Sequence, residues 1–179
     1  MTNSIALGAD GELNHTLAVL RQATPAGRLA SRTKIMPGIS WHADPALELE
    51  GNYSSPGGRL LEIETRPRAE GAWNALHLSL PARDLRGCGV LGFALRSATP
   101  DMLVLRACLR SGLQSGSGFE DCFFTKHVLV RPEESVHLDA LPAHHQPRLP
   151  LEAPWRELVL FFPVTAFRFS LIDLRVFLV

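Results

Sequence analysis

From residue 46 onward, apolar and polar residues alternate with a period of two, and this pattern constrains the fold more than any other feature of the sequence. Such a period places successive side chains on opposite faces of a β-strand. Nine segments show β-strand character: 46–50, 59–65, 73–80, 89–97, 102–110, 122–130, 135–141, 156–162 and 167–179. Pro- and Gly-rich turn sequences such as SSPGG separate them. About nine short strands with little helix predict an all-β antiparallel sandwich.

The first 40 residues differ from the rest of the chain. Leu13, Leu17 and Leu20 recur at helical spacing, which predicts one short helix that stops at the sequence TPAG. The segment that follows is basic and irregular in pattern. We therefore expect an N-terminal arm of residues 1–40 that packs on a β-sandwich domain of residues 41–179 or on a partner chain.

The last segment of the chain changes parity near its middle. Apolar side chains occupy odd positions from residue 167 to Leu171, and even positions from Ile172 onward. A strand with one buried face cannot show both parities without an irregularity. The change therefore predicts either a bulge at 171–172 or a strand that is covered on both faces.

Charge and cysteine content exclude some functions. Eighteen basic residues balance eighteen acidic ones, which argues against nucleic-acid binding because that function needs a basic surface. Cys88, Cys108 and Cys122 are an odd number and contain no CxxC pair, unlike a disulfide framework. The N-terminus lacks the pattern of a signal peptide, and no apolar run has the length of a membrane span. We expect a cytoplasmic protein without membrane contact.

The alternation also predicts which side chains share an open face. In 73–80, 89–97 and 102–110, most large apolar residues take one parity and most polar residues the other. If these strands are neighbours, their open faces gather Trp73, His77, Arg96, Arg106 and Arg110. A mixed aromatic and basic surface of this kind is a candidate ligand-binding face.

Several short motifs occur in a particular order between residues 46 and 179. They are LELEG, the GG before LLEIET, LHLSLPARDLRGCGVLGFALRS, PWRELVLFF and FSLIDLRVFLV. Their order resembles that of the galactose-binding-domain-like jelly roll, the fold of many carbohydrate-binding modules. The resemblance implies a non-catalytic module that binds a carbohydrate or glycoconjugate in polysaccharide or glycan metabolism.

Aromatic residues are scarcer here than in most sugar-binding faces, where exposed rings stack on the apolar faces of sugars. The chain has one tyrosine and three tryptophans. A platform of two rings could combine Trp73 with Trp41 or with Tyr53. We expect Trp155, which precedes a late strand, to lie in the core.

The resemblance further implies a structural calcium ion at one edge of the sandwich. The matching ligands would be Glu48 or Glu50, the loop 51–58 and Asp173. Calcium accepts six to eight oxygen ligands, including backbone carbonyls from irregular loops. The alternative is that Asp173 pairs with an arginine such as Arg59, or faces water.

Two other functions remain open from the sequence. The arm could serve a protein-interaction or homo-oligomerisation domain, because its leucines have to be buried somewhere. An enzyme is less expected, since no metal-ligand or nucleophile motif is present. Glycoside hydrolysis requires two carboxyl groups that face each other across a cleft. The acidic pairs at 48–50 and 62–64 each lie on a single strand instead.

Overall fold

Two antiparallel β-sheets pack face to face, in a computed structural model that describes residues 11–179. One α-helix, α1 (Gly11–Ala23), precedes the strands. In chain order the strands are β1 (Ala26–Leu29), β2 (Arg32–Met36), β3 (Ile39–Ala43), β4 (Glu50–Ser54), β5 (Leu61–Arg66), β6 (Asn74–Leu80), β7 (Val90–Ala98), β8 (Leu103–Gly112), β9 (Phe119–Phe123), β10 (Val128–Val130), β11 (Ser135–Pro142), β12 (Arg156–Phe162) and β13 (Phe167–Leu178). The predicted all-β sandwich is confirmed, with thirteen strands in the described residues rather than about nine.

The strands divide into two sheets with many crossovers between them. Sheet A has the order β1–β4–β5–β13–β7–β11. Sheet B has the order β10–β8–β12–β6–β3–β2, and β9 also pairs with β8. The inward leucines, valines and phenylalanines of both sheets form one buried core. Large-scale burial of this kind is the main stabilising contribution to a sandwich.

The described residues before position 41 are part of the sandwich rather than a separate arm. β1 pairs with β4 in sheet A, while β2 and β3 extend sheet B beyond β6. The sequence-based boundary between residues 40 and 41 falls inside β3. These strands have only four or five residues, which is too short for a period-two pattern to stand out.

The predicted strand at 46–50 is also corrected. Residues Pro45–Leu47 form a 3₁₀ turn, which ends at Glu48 with a left-handed backbone, and β4 begins at Glu50. The predicted segment 122–130 is divided, because its first residues end β9 and its last residues form β10.

β13 confirms the irregularity predicted from its change of parity. It lies between β5 and β7, and its register with β7 shifts between Leu171 and Asp173. β5 pairs with β13 only as far as Leu171, so the rest of that edge has no strand neighbour. The bulge therefore coincides with the point where the partner strand ends.

Helix α1 covers the remaining edge of β13. The Asn14 side chain donates a hydrogen bond from Nδ2 to the Val176 carbonyl at 2.9 Å, and its Oδ1 accepts one from the Val176 N–H at 3.1 Å. One amide side chain thus replaces the backbone partner that a strand would supply. The Leu13, Leu17 and Leu20 side chains of the same helix are buried, so the protein itself covers these apolar groups. Among residues 11–179, no helix has the length and apolar character needed to cross a membrane.

Candidate functional site

The outer face of sheet B consists of side chains that point away from the core, and the strand register arranges them in four rows. The first row contains Arg32, His42, Ala75, Phe161 and Arg106. The second contains Lys34, Ser40, His77, Val159, Cys108 and Phe123. The third contains Ser79, Glu157, Arg110 and Asp121. The fourth contains Trp155, Gly112 and Phe119.

The third row holds a rigid ion pair. Arg110 donates from Nε and from one terminal nitrogen to the two carboxylate oxygens of Asp121, both at 2.7 Å. Its guanidinium carbon also lies 3.8 Å from the centre of the Phe119 ring. Burial acts to lower the pKa of Arg110, but the hydrogen bonds and charge of Asp121 outweigh it and raise the pKa. A two-pronged pair stacked on a ring has little freedom to reorient.

Glu157 lies in the same row and binds a buried imidazole. His77, with 5% of its side chain exposed, donates from Nδ1 to a carboxylate oxygen of Glu157 at 2.7 Å. Burial acts to raise the pKa of Glu157, but the hydrogen bond and charge of His77 outweigh it and hold the pKa below its usual value. Glu157 is therefore an ionised acceptor at neutral pH.

His42 covers the other side of His77. The two imidazole rings stack with centroids 4.5 Å apart. Burial, followed by the proximity of His77, lowers the pKa of His42. His77 Nε2 is enclosed and has no hydrogen-bond partner within the described part of the chain. The second row thus contains a polar atom whose hydrogen-bonding capacity is unused.

The fourth row is an exposed aromatic end of the face. Trp155 is 42% exposed and Phe119 is 48% exposed. Gly112 lies between them, and a Cβ at this position would clash with the Trp155 indole nitrogen. Glycine is therefore required for the indole to lie flat against the strand. The Ser- and Gly-rich loop 113–118 borders this end.

Two hollows adjoin the same face. One of 370 Å³ is lined by Trp155 and Ser79, together with residues of α1. The other, of 430 Å³, is lined by Arg32, Lys34 and His42. Gly38 and Ser79 line both hollows, so they meet beside β6 and β3.

The structure brings together most, but not all, of the residues predicted to share a face. His77, Arg106 and Arg110 lie on the outer face of sheet B, although His77 is buried rather than open. Trp73 directly precedes β6, has the parity of this face and is 38% exposed. Arg96 lies instead in β7 of sheet A, 3.9 Å from Glu134. Alternation predicts the parity of a side chain but not the sheet that its strand joins.

The predicted aromatic platform is wrong. Trp41 is fully buried between the sheets, with its ring centroid 5.2 Å from that of Phe162. Tyr53 lies in sheet A and packs against Gly27. Trp155, which was expected in the core, is exposed. Its odd position, shared with Glu157 on β12, was the signal in the sequence that could have placed it on the outer face.

Glu50 and Asp173, two of the residues expected to bind calcium, lie too far apart to share one ion. Glu50 is paired with Arg66 at one end of β5, whereas Leu171 is paired with Leu61 at the other end. Five residues of strand separate these positions by roughly 16 Å, and Asp173 lies beyond Leu171. Calcium ligands must all approach within about 2.6 Å of the ion.

Two of the carboxylates that were expected to bind calcium accept hydrogen bonds from arginines instead. Glu50 accepts a hydrogen bond from Arg68 at 2.6 Å. Asp173 accepts one from Arg21 of α1 at 3.0 Å, so its partner is an arginine, although not Arg59. Glu48 ends the 3₁₀ turn before β4. Within residues 11–179, no cluster of three or more potential ligands could hold a metal ion.

Comparison with known proteins finds similarity in structure but not in sequence. No family model matches the chain, and no curated protein matches it. A family 11 carbohydrate-binding module from Clostridium thermocellum, in complex with a β-1,3-1,4-mixed-linked tetrasaccharide, aligns with a TM-score of 0.56 at 11% identity, over 86% of this chain and 95% of that one. The CBM22-1 xylan-binding domain of a Paenibacillus barcinonensis protein aligns with a TM-score of 0.54 at 13% identity, over 86% of this chain and 92% of that one.

An enzyme is also among the similar structures. Endoglucanase 3 of Trichoderma harzianum, from family GH12, aligns with a TM-score of 0.50 at 6% identity, over 87% of this chain and 98% of that one. At such low identities the likeness concerns the fold and not the activity. The chain has the jelly-roll β-sandwich fold that carbohydrate-binding modules share.

Proposed function

We propose that the protein is a non-catalytic carbohydrate-binding module of glycan metabolism, and that its ligand lies across the outer face of sheet B. One observation carries the proposal: the fixed polar row of Glu157, Arg110 and Asp121 lies directly beside the exposed rings of Trp155 and Phe119. The fold that the protein shares with a xylan-binding domain and with a carbohydrate-binding module solved with a tetrasaccharide supports the proposal.

This arrangement matches the chemistry of a sugar ring. A sugar presents a flat apolar surface of C–H groups, which stacks on an aromatic side chain, and a rim of hydroxyl groups, which need donors and acceptors. Trp155 supplies an exposed ring. Glu157 supplies an ionised acceptor, and the Arg110–Asp121 pair supplies further polar atoms in fixed positions. Fixed polar groups lose little entropy when a ligand binds.

The electrostatics of the face argue against glycoside hydrolysis. A glycosidase needs one carboxylic acid with a raised pKa, which protonates the leaving group. The pKa of Glu157 is lowered, mainly through His77 against the effect of burial, and Asp121 is bound to Arg110. Glu157 is therefore not prepared to donate a proton at neutral pH, and both carboxylate oxygens of Asp121 already accept hydrogen bonds from Arg110. Absence of reducing sugar release from xylan and mixed-linkage glucan would agree with this, whereas steady release would favour an endoglucanase-like enzyme.

Binding can be tested by calorimetric titration with xylan, mixed-linkage glucan and other oligosaccharides at millimolar concentration. The double variant Trp155→Ala/Phe119→Ala should lose about tenfold or more in affinity, because each stacked ring contributes on the order of 1 kcal/mol. The control is Val136→Ala/Leu138→Ala, which removes exposed apolar side chains from sheet A. Equal losses in both variants, or no binding of any saccharide by the parent protein, would contradict the proposal.

A further inference from the structure

Most exposed arginines of sheet A are held in ion pairs, although Arg28 of β1 and Arg175 of β13 have no acidic partner within residues 11–179. Along the outer side of sheet A and its edges, the ion pairs are Arg59–Glu62, Arg66–Glu64, Arg168–Glu64, Arg68–Glu50, Arg96–Glu134 and Arg21–Asp173. On the outer face of sheet B, Arg32, Lys34 and Arg106 have no acidic partner within residues 11–179. All three are exposed.

The unpaired charges flank the face. Arg32 and Arg106 are the two ends of the first row, four strand spacings apart, which is roughly 19 Å. Between them lie His42, Ala75 and Phe161, without a carboxylate. A ligand lying along this row would therefore meet a cation at each end.

The side chains at the two ends are arranged to receive an anion. The Arg106 guanidinium carbon lies 4.1 Å from the centre of the Phe123 ring, which holds its orientation. Arg32 and Lys34 line the 430 Å³ hollow together. The planar fork of an arginine matches the two oxygens of a carboxylate.

The face as a whole carries a surplus of positive charge. Its four rows contain four cations, with Arg110 as the fourth, against the two carboxylates of Glu157 and Asp121. The entire chain, in contrast, has equal numbers of basic and acidic residues. A local surplus of positive charge attracts anionic ligands to the face that carries it.

We propose that the glycan recognised by this face is acidic, with uronate units whose carboxylates bind Arg106 at one end and Arg32 with Lys34 at the other. This inference rests on the proposed carbohydrate-binding function and specifies its ligand. The sugar units between the two ends lie along the first row, beside His42 and Phe161, while other units of the same glycan reach the third and fourth rows. A neutral glycan leaves the three cations without partners.

The first test compares acidic sugars with their neutral counterparts. Oligosaccharides of galacturonate, glucuronate and mannuronate are each titrated beside the same oligosaccharide after reduction of its carboxyl groups. For at least one pair, the acidic form should bind about tenfold more tightly at low salt, and the advantage should shrink as salt screens the charges. Sulfated chains serve as a further arm, and their binding in the absence of any uronate binding would overturn the uronate assignment.

The second test removes the cations. The variant Arg32→Gln/Lys34→Gln/Arg106→Gln should bind the acidic form roughly tenfold more weakly, since exposed charge contacts are individually weak, and should bind the reduced form unchanged. The control Arg28→Gln/Arg131→Gln/Arg175→Gln removes three exposed cations that also have no acidic partner in residues 11–179, so it matches the change in net charge. It should change affinity by no more than about twofold.

The outcomes separate the two proposals. If reduced and acidic forms bind equally, or if both triple variants lose affinity equally, the acidic-ligand proposal is wrong while carbohydrate binding stands. If no saccharide of either kind binds, the proposed function itself fails. Thermal unfolding of each variant checks that the substitutions leave the sandwich folded.

Discussion

Replacement of Asn14 by alanine tests how helix α1 is attached to the sandwich. The Asn14 amide makes both of its hydrogen bonds with the backbone of Val176, a residue that is 2% exposed, at a strand edge that β5 does not reach. The alanine variant leaves the N–H and the C=O of Val176 without a protein partner. These two groups differ from an ordinary exposed edge because α1 excludes most water from them.

The expected loss of stability follows from these two bonds. An unsatisfied buried backbone group costs about 1–3 kcal/mol. Since Asn14 is half-buried and some water can enter, the lower end applies, which gives about 2–3.5 kcal/mol for the pair. Alanine restores about 0.5 kcal/mol through its higher helix propensity. The net loss should be about 1.5–3 kcal/mol, equivalent to a fall in Tm of roughly 3–12 °C for a domain of this size.

Urea unfolding followed by circular dichroism measures this loss. The midpoint should fall while the m value stays the same, because α1 and the sheets unfold together. His15→Ala is the control, since His15 is exposed on the same helix, and it should change stability by less than about 0.5 kcal/mol. If Asn14→Ala is no more destabilising than His15→Ala, the amide does not replace a strand, and the account of the β13 edge is refuted.

Three further predictions concern the site, acid stability and calcium. Gly112→Ala should displace the Trp155 indole, which changes tryptophan fluorescence and weakens glycan binding at a cost in stability of about 1–2 kcal/mol; unchanged fluorescence would contradict the contact. Burial is the main cause that lowers the pKa of both His42 and His137, so the unfolded chain binds protons at these histidines more tightly than the folded chain does. The free energy of unfolding, measured by urea titration, should therefore fall as the pH drops below about 6.5. The variant His137→Gln should make this dependence on pH less steep. Neither millimolar calcium nor a chelator should change the Tm, and a clear rise with calcium would show that Asp173 or Glu50 reaches an ion despite its arginine partner.

Local pattern predicted the face of a side chain well. Strands β6 and β8 place their leucines inward and His77, Arg106 and Arg110 outward, as alternation requires. The bulge near Leu171 could also be predicted from the sequence, because a change of parity within one apolar strand has few physical causes. These features depend only on neighbours along the chain.

Pairing between distant strands could not be predicted in the same way. Arg96 and Arg106 lie on consecutive strands with similar patterns, yet β7 joins sheet A and β8 joins sheet B. Strand β3 is fixed by its pairing with β6, some thirty residues later, and its pattern alone did not reveal that Trp41 would be buried. Choice of sheet is decided by the packing of the whole sandwich, which no short window of sequence contains.

The Glu157–His77 and Arg110–Asp121 contacts show the same limit. Each joins side chains from two strands, and Asp121 of β9 lay outside the strand that the sequence predicted at 122–130. Glu157 and Trp155 had the correct parity, but a role for them follows only when β8, β12 and β6 are known to be adjacent.

The central claim is that a glycan binds the outer face of sheet B, and chemical-shift mapping tests it most directly. Labelled protein is titrated with the saccharide that binds most tightly, and amide shifts are followed by NMR. The account predicts that the largest changes occur in residues 106–112, 119–123 and 155–161, with smaller ones at 73–79. Changes concentrated in β5, β7 and β11 of sheet A would contradict it.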